Sequence, residues 1–170
     1  MKKSLIAGLM VLASPMNVAA EEITAQELKG KIYGALNYNR FVFDDNRQTT
    51  NPKLTDIGTE YGFGGAVGYR IDESFEVRFG YTDVHVQQTS GSSSLDLLYF
   101  MDQKGIYFLG GVNYLEVEDD KTSLNFGGGY RHHINEDFAV FVEGKANFNT
   151  STSNTDYSTG IGVMYFFGGF

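Results

Sequence analysis

Beyond residue 30, bulky apolar side chains alternate with small or polar ones through nearly the whole chain. A period of two is the mark of extended strands whose two faces meet different surroundings. The second such stretch shows it best: Tyr61, Phe63, Val67, Tyr69 and Ile71 share one parity, and Gly62, Gly64, Ala66, Gly68 and Arg70 the other. Before it, residues 31–43 set Ile32, Leu36 and Tyr38 against Tyr33, Ala35, Asn37 and Asn39. After it, Phe75, Val77, Phe79 and Tyr81 oppose Glu76, Arg78, Gly80 and Thr82. A fourth strand over 94–101 carries Leu95, Leu97, Tyr99 and Met101 on one face. The fifth, over 106–115, alternates Phe108, Val112 and Tyr114 with Leu109, Gly111 and Asn113. The sixth places Leu124, Phe126 and Tyr130 opposite Asn125, Gly127, Gly129 and Arg131. In the seventh, Phe138, Val140, Val142, Ala146 and Phe148 face away from Glu143, Lys145 and Asn147. The last sets Ile161, Val163, Tyr165 and Phe167 against Ser158, Gly160 and Gly162.

Eight strands result, each near the 9–11 residues that a tilted membrane-crossing strand requires. Short connections at 72–74, 102–105 and 133–137 alternate with longer polar ones at 44–59, 86–93, 116–122 and 149–156. Bacterial barrels show that asymmetry, with tight turns on the periplasmic side and loops outside. The predicted fold is all-β: an eight-stranded antiparallel up-and-down transmembrane β-barrel with both termini in the periplasm.

Alternation by itself also suits a soluble barrel with an apolar interior. The sizes of the side chains decide between the two. An eight-stranded barrel has an interior only just wide enough for side chains. Phe63, Tyr69, Phe75, Phe79, Tyr81, Phe126, Tyr130 and Phe138 would overfill it, whereas the glycine-rich face fits. The aromatic face is therefore predicted to meet lipid, with Tyr69, Tyr81, Tyr99, Tyr114 and Tyr130 as girdle residues.

The amino terminus agrees with export. Met1-Lys2-Lys3 is followed by the apolar run 5–13 and by the small residues Val18-Ala19-Ala20. Residues 1–20 read as a signal peptide cleaved after Ala20, because Pro15 and Asn17 make the run too short to span a membrane. Residues 21–30 read as a periplasmic lead-in and 31–170 as the barrel. The full chain has 13 Lys+Arg and 21 Asp+Glu; losing Lys2 and Lys3 leaves a net charge near −10. Such acidity excludes nucleic acid as a partner, since binding phosphates requires a basic footprint. There is no cysteine, so no disulfide holds the fold.

Gly68-Tyr69, Gly80-Tyr81 and Gly129-Tyr130 repeat at strand ends, and the run GFGGAVGYRIDESFEVRFGYTD spans Gly62 to Asp83. With these residues the chain resembles the OmpA-like/OmpX-like family of small outer-membrane barrels. The resemblance covers essentially the whole mature sequence and implies a monomer in the outer membrane of a Gram-negative bacterium. It implies a role in envelope integrity and adhesion-like surface interaction, with an unidentified surface ligand at the outer loops. Outer-membrane lipid, lipopolysaccharide, the barrel-assembly machinery and periplasmic chaperones are the other partners it implies. The peptidoglycan-binding domain of OmpA itself has no counterpart after Phe170, so cell-wall anchoring is not expected. Tyr165, Phe167 and Phe170 resemble the family's carboxyl-terminal assembly signal. Phe170 falls on the parity opposite to Phe167 unless Gly168-Gly169 forms a bulge.

Candidate chemistry is sparse. Arg70, Glu76, Arg78, Arg131, Glu143 and Lys145 share the lumen parity, and charges so confined need partners. They are expected to form a polar plug that fixes the register; the alternative is the gate of a narrow, low-conductance pore. A second alternative is a lipid-modifying enzyme using His85, with Asp83 and the serines 90–94. Ser90-Gly91-Ser92-Ser93-Ser94 reads as a low-complexity loop, so no enzymatic activity is expected. His132 and His133 point to opposite faces of a strand, which disfavours shared metal ligation. Glu116, Glu118, Asp119 and Asp120 would bridge divalent cations to lipopolysaccharide phosphates, or simply form a solvated acidic loop. No cofactor is expected.

Overall fold

The computed structural model describes residues 25–42, 59–85, 89–101, 105–116, 121–149 and 155–167. The predicted signal peptide and Phe170 lie outside these residues. A single helical turn, α1 (Ala25–Leu28), precedes eight strands: β1 (Ile32–Val42), β2 (Thr59–Arg70), β3 (Phe75–His85), β4 (Thr89–Phe100), β5 (Ile106–Leu115), β6 (Lys121–His133), β7 (Phe138–Asn149) and β8 (Thr155–Phe167). They form one closed antiparallel barrel in chain order. The first and last strands seal it along eleven paired positions, from Ile32 opposite Phe167 to Val42 opposite Tyr157.

The predicted faces point as the side-chain sizes required. All eight bulky aromatics assigned to the outer face are exposed, from Phe75 at 39% to Phe63 at 69%. The lumen nevertheless holds aromatics of its own. Tyr33, Phe100, Tyr107, Phe141 and Phe166 are buried within it. Inward glycines make the room: a Cβ at Gly68 would overlap the Tyr33 ring, and one at Gly162 would overlap Phe141. Tyr33, Phe141, Met164 and Phe166 form one buried apolar cluster, which Leu28 of α1 joins; Leu98, Phe100, Tyr107 and Leu109 form a second. Parity assigned these positions inward, but their bulk ran against a lumen of glycine and polar groups.

One connection differs from prediction. The segment 86–93 was expected as a long outer loop, yet β4 begins at Thr89, paired with His85. Ser92 continues the inward parity of β4, and Gly91 lies opposite Asp83. Small polar residues mimic loop composition, but they also suit a narrow, polar stretch of lumen. Strict alternation of short and long connections therefore fails between β3 and β4, which are separated by residues 86–88 alone.

Two of the opposite connections share one design. The side-chain Oδ1 of Asp72 accepts from the Ser74 and Phe75 backbone N–H groups at 2.7 and 2.8 Å. Asn135 does the same for Asp137 and Phe138 at 3.0 and 2.9 Å. Asp and Asn close tight turns in this way because a short side chain replaces a backbone acceptor.

Candidate functional site: the charged lumen

Strand parity turns the six predicted charges inward, and two clusters form. In the first, Arg131 Nη1 and Nη2 donate to Glu76 Oε2 and Oε1 at 2.7 and 2.8 Å. The Tyr33 hydroxyl donates to the same carboxylate. Arg70 lies 3.7 Å from Glu76, stacks 3.8 Å above the Phe100 ring, and donates through Nε to the Asp72 carbonyl at 2.9 Å. Arg131 also sits over Phe100, 4.8 Å from the ring centre. Planar guanidinium groups fit such sites, since they pair side-on with carboxylates and stack on aromatic rings.

The second cluster adjoins the first, one inward position further along β3. Arg78 is held between Asp96 at 3.0 Å and Glu143 at 2.8 Å. Lys145 reaches Asp96 at 2.7 Å and Glu143 at 3.5 Å. The Tyr107 hydroxyl donates to Glu143 at 3.0 Å, and Asn125 Nδ2 donates to Asp96 at 2.9 Å. Asp96 is 1% exposed, so its charge is compensated inside the protein.

Asp96, Tyr33, Tyr107 and Asn125 are the members that sequence reasoning did not include in the network. Asp96 had a signal: it is a lone acid between Leu95 and Leu97, on the parity opposite to theirs. Tyr33 and Tyr107 shared the inward parity, but a tyrosine is equally at home in a lumen and in a girdle, so nothing marked either as a partner of a charge.

Arg78, Glu143 and Lys145 also border a polar cavity with Asn37, Asn39 and Ser94 among its walls. It offers about 40 Å³, room for about three water molecules. The apolar clusters and the Arg131–Glu76 pair occupy the lumen beyond it. The arrangement can hold water and fix strands against one another.

The other candidates separate. The backbone of His85 ends β3, but its side chain is outside the described residues, so no Ser-His-Asp geometry is defined. His132 stacks with outward Tyr130 and His133 with inward Phe166, so the two rings share no site. Glu116 is exposed, and its backbone N–H donates to the Gly91 carbonyl at 2.8 Å; Glu118, Asp119 and Asp120 lie outside the described residues. Tyr165 and Phe167 both face outward, edge to face at 5.1 Å.

Solved structures share this architecture. The N-terminal β-barrel domain of Pseudomonas aeruginosa OprF matches with a TM-score of 0.62 at 18% identity, covering 82% of this chain and 98% of that one. The outer membrane protein OprG of the same organism matches at 0.57 and 12% identity, covering 86% and 100%. Ail, the attachment invasion locus protein of Yersinia pestis, solved with the heparin analogue sucrose octasulfate, matches at 0.56 and 12%, covering 82% and 99%. The chain has the fold of the small outer-membrane barrels. No family model matches the sequence. Identities this low establish the fold and leave activity to the site.

Proposed function

We propose that the chain is a monomeric outer-membrane barrel of a Gram-negative envelope. It stabilises the membrane and offers its outer loops for surface contact. Residues 1–20 act as a cleaved export signal, 21–30 as the lead-in, and Tyr165, Phe167 and Phe170 as the assembly signal read by the barrel-assembly machinery. The observation that carries the reading is the pairing of an apolar outer belt with an occluded, ion-paired lumen. An exposed belt of this kind is costly in water and is matched by hydrocarbon.

The same lumen favours a plug over a pore, since buried ion pairs and aromatic rings fill its width. Surface contact finds support in the likeness to Ail, although a sulfated polyanion suits this chain poorly. The sequence carries a formal net charge of −8, with Glu116, Glu118, Asp119 and Asp120 in one outer connection.

Planar-bilayer recording of the refolded protein tests the reading, together with fractionation of expressing cells. Recovery in the outer-membrane fraction without resolved ionic current is the expected result. Recovery in the soluble periplasm would overturn the membrane assignment, and a steady current would replace the plug with a pore. Shortening the connections within 43–58 or 150–154 should then alter surface binding and leave insertion intact.

A further inference from the structure

The lead-in is fastened to the end of β2. Gly30, with φ 79°, donates its backbone N–H to the Arg70 carbonyl at 2.8 Å, and the Arg70 N–H donates to the Lys31 carbonyl at 3.0 Å. The Lys31 N–H donates in turn to the Leu28 carbonyl at 3.1 Å, closing a turn between α1 and β1. Leu28 is 5% exposed although a single helical turn carries it, and exposed Glu27 and Lys29 flank it.

The seat of Leu28 lies on one side of the barrel. The rest of its buried cluster is Tyr33 and Ala35 of β1, Ala139 and Phe141 of β7, and Met164 and Phe166 of β8. Tyr33 stands opposite Phe166 and Ala35 opposite Met164, so pairs that face each other across the β1–β8 seam help to form the seat. The Tyr33 and Phe166 rings lie 5.4 Å apart. The second buried apolar cluster lies on β4 and β5, away from the seam. The lead-in is thus bonded to β2 on one side of the seam and packed into a cluster that β7 and β8 share on the other. Separating β1 from β8 would divide that cluster and unseat Leu28.

We propose that α1 is a latch on the β1–β8 seam: Leu28 packs when the two strands are paired and thereby holds the barrel closed. A group that binds one state and not the other shifts the equilibrium toward the state it binds. The end of the seam near Ile32 and Phe167 gains most, since strand ends open more readily than strand centres.

Residue-resolved hydrogen exchange of the refolded mature protein, residues 21–170, tests it in detergent. Leu28→Ala should speed exchange of the amides bonded across the seam by about thirtyfold, the low end of the cost of truncating a buried leucine. Amides bonded between β3, β4 and β5 should exchange as in the wild type. Leu28→Met, which conserves volume, and Lys29→Ala, at an exposed neighbour, should match the wild type throughout. Should Leu28→Ala not refold, Leu28→Val carries the same comparison with a smaller effect. Unchanged exchange across the seam overturns the proposal, since α1 would then open without it. Equal acceleration in every strand also overturns it, because Leu28 would then be ordinary core. Neither outcome bears on the membrane assignment, which fractionation tests separately.

Discussion

Arg131 and Glu76, on β6 and β3, meet across the lumen through two parallel hydrogen bonds of 2.7 and 2.8 Å. Their side chains are 1% and 0% exposed, and no pairing of neighbouring strands connects β6 to β3. The pair therefore acts as a strut across the barrel, between strands that do not touch.

Removing one end of that strut should be severe. Glu76→Gln leaves Arg131 and Arg70 without their shared carboxylate, and breaking a buried pair costs roughly 3–5 kcal/mol. Urea unfolding from vesicles should show it as an earlier midpoint. Replacing both ends, as Glu76→Leu with Arg131→Met, should cost less than the two single changes summed, because no charge is orphaned on the Arg131 side. Additive losses would mean that the two groups act independently.

Gly68 should not accept alanine. Its Cβ would occupy the place of the Tyr33 ring, and overpacking a tight core costs typically 1–3 kcal/mol. Gly65→Ala, on the outer face, should be neutral or slightly stabilising. Thermal unfolding monitored by gel mobility distinguishes them, and equal effects would contradict the assigned facing of β2.

Gly105 carries two constraints at once. Its φ is 83°, and an added Cβ would collide with the Arg131 carbonyl. Gly105→Ala should destabilise by about 1–3 kcal/mol, whereas Gly30→Ala, with φ 79° but open space around it, should cost less. Chemical unfolding of the two variants side by side checks the order.

The twin turns differ in acid. Hydrogen bonds from the Ser74 and Phe75 N–H groups hold the Asp72 carboxyl below the usual carboxylate range. A depressed folded pKa gives stability that is fully present above about pH 4, the unfolded value. That stability is lost as the pH falls through the folded pKa. Asp72→Asn should therefore flatten the acid limb of the stability profile, because the amide at Asn135 already makes the same turn without titrating. An unaltered acid limb in the variant would show that other carboxylates dominate it.

Parity along the strands revealed which way nearly every side chain points, since a closed sheet allows only in or out. It also brought the lumen charges together before any geometry was known. Two things were hidden. The serines of β4 read as loop because composition cannot distinguish a polar lumen from water. The place of the inward tyrosines was hidden because room for Tyr33 comes from Gly68 on the neighbouring strand, and such a complement appears only once register is fixed. Asp96 shows the same limit: its partners Arg78 and Lys145 come from β3 and β7, and no local pattern joins them.

The eleven-position seam between β1 and β8 has a consequence for how the molecule is made. Its two edges are β1 and β8, so the ring cannot close until β8 has been made. Until then both edges expose unpaired backbone that another chain could capture. Closure also joins the most distant parts of the sequence, the kind of contact that slows folding. The barrel is therefore complete only when β1 meets β8, the two strands farthest apart along its sequence.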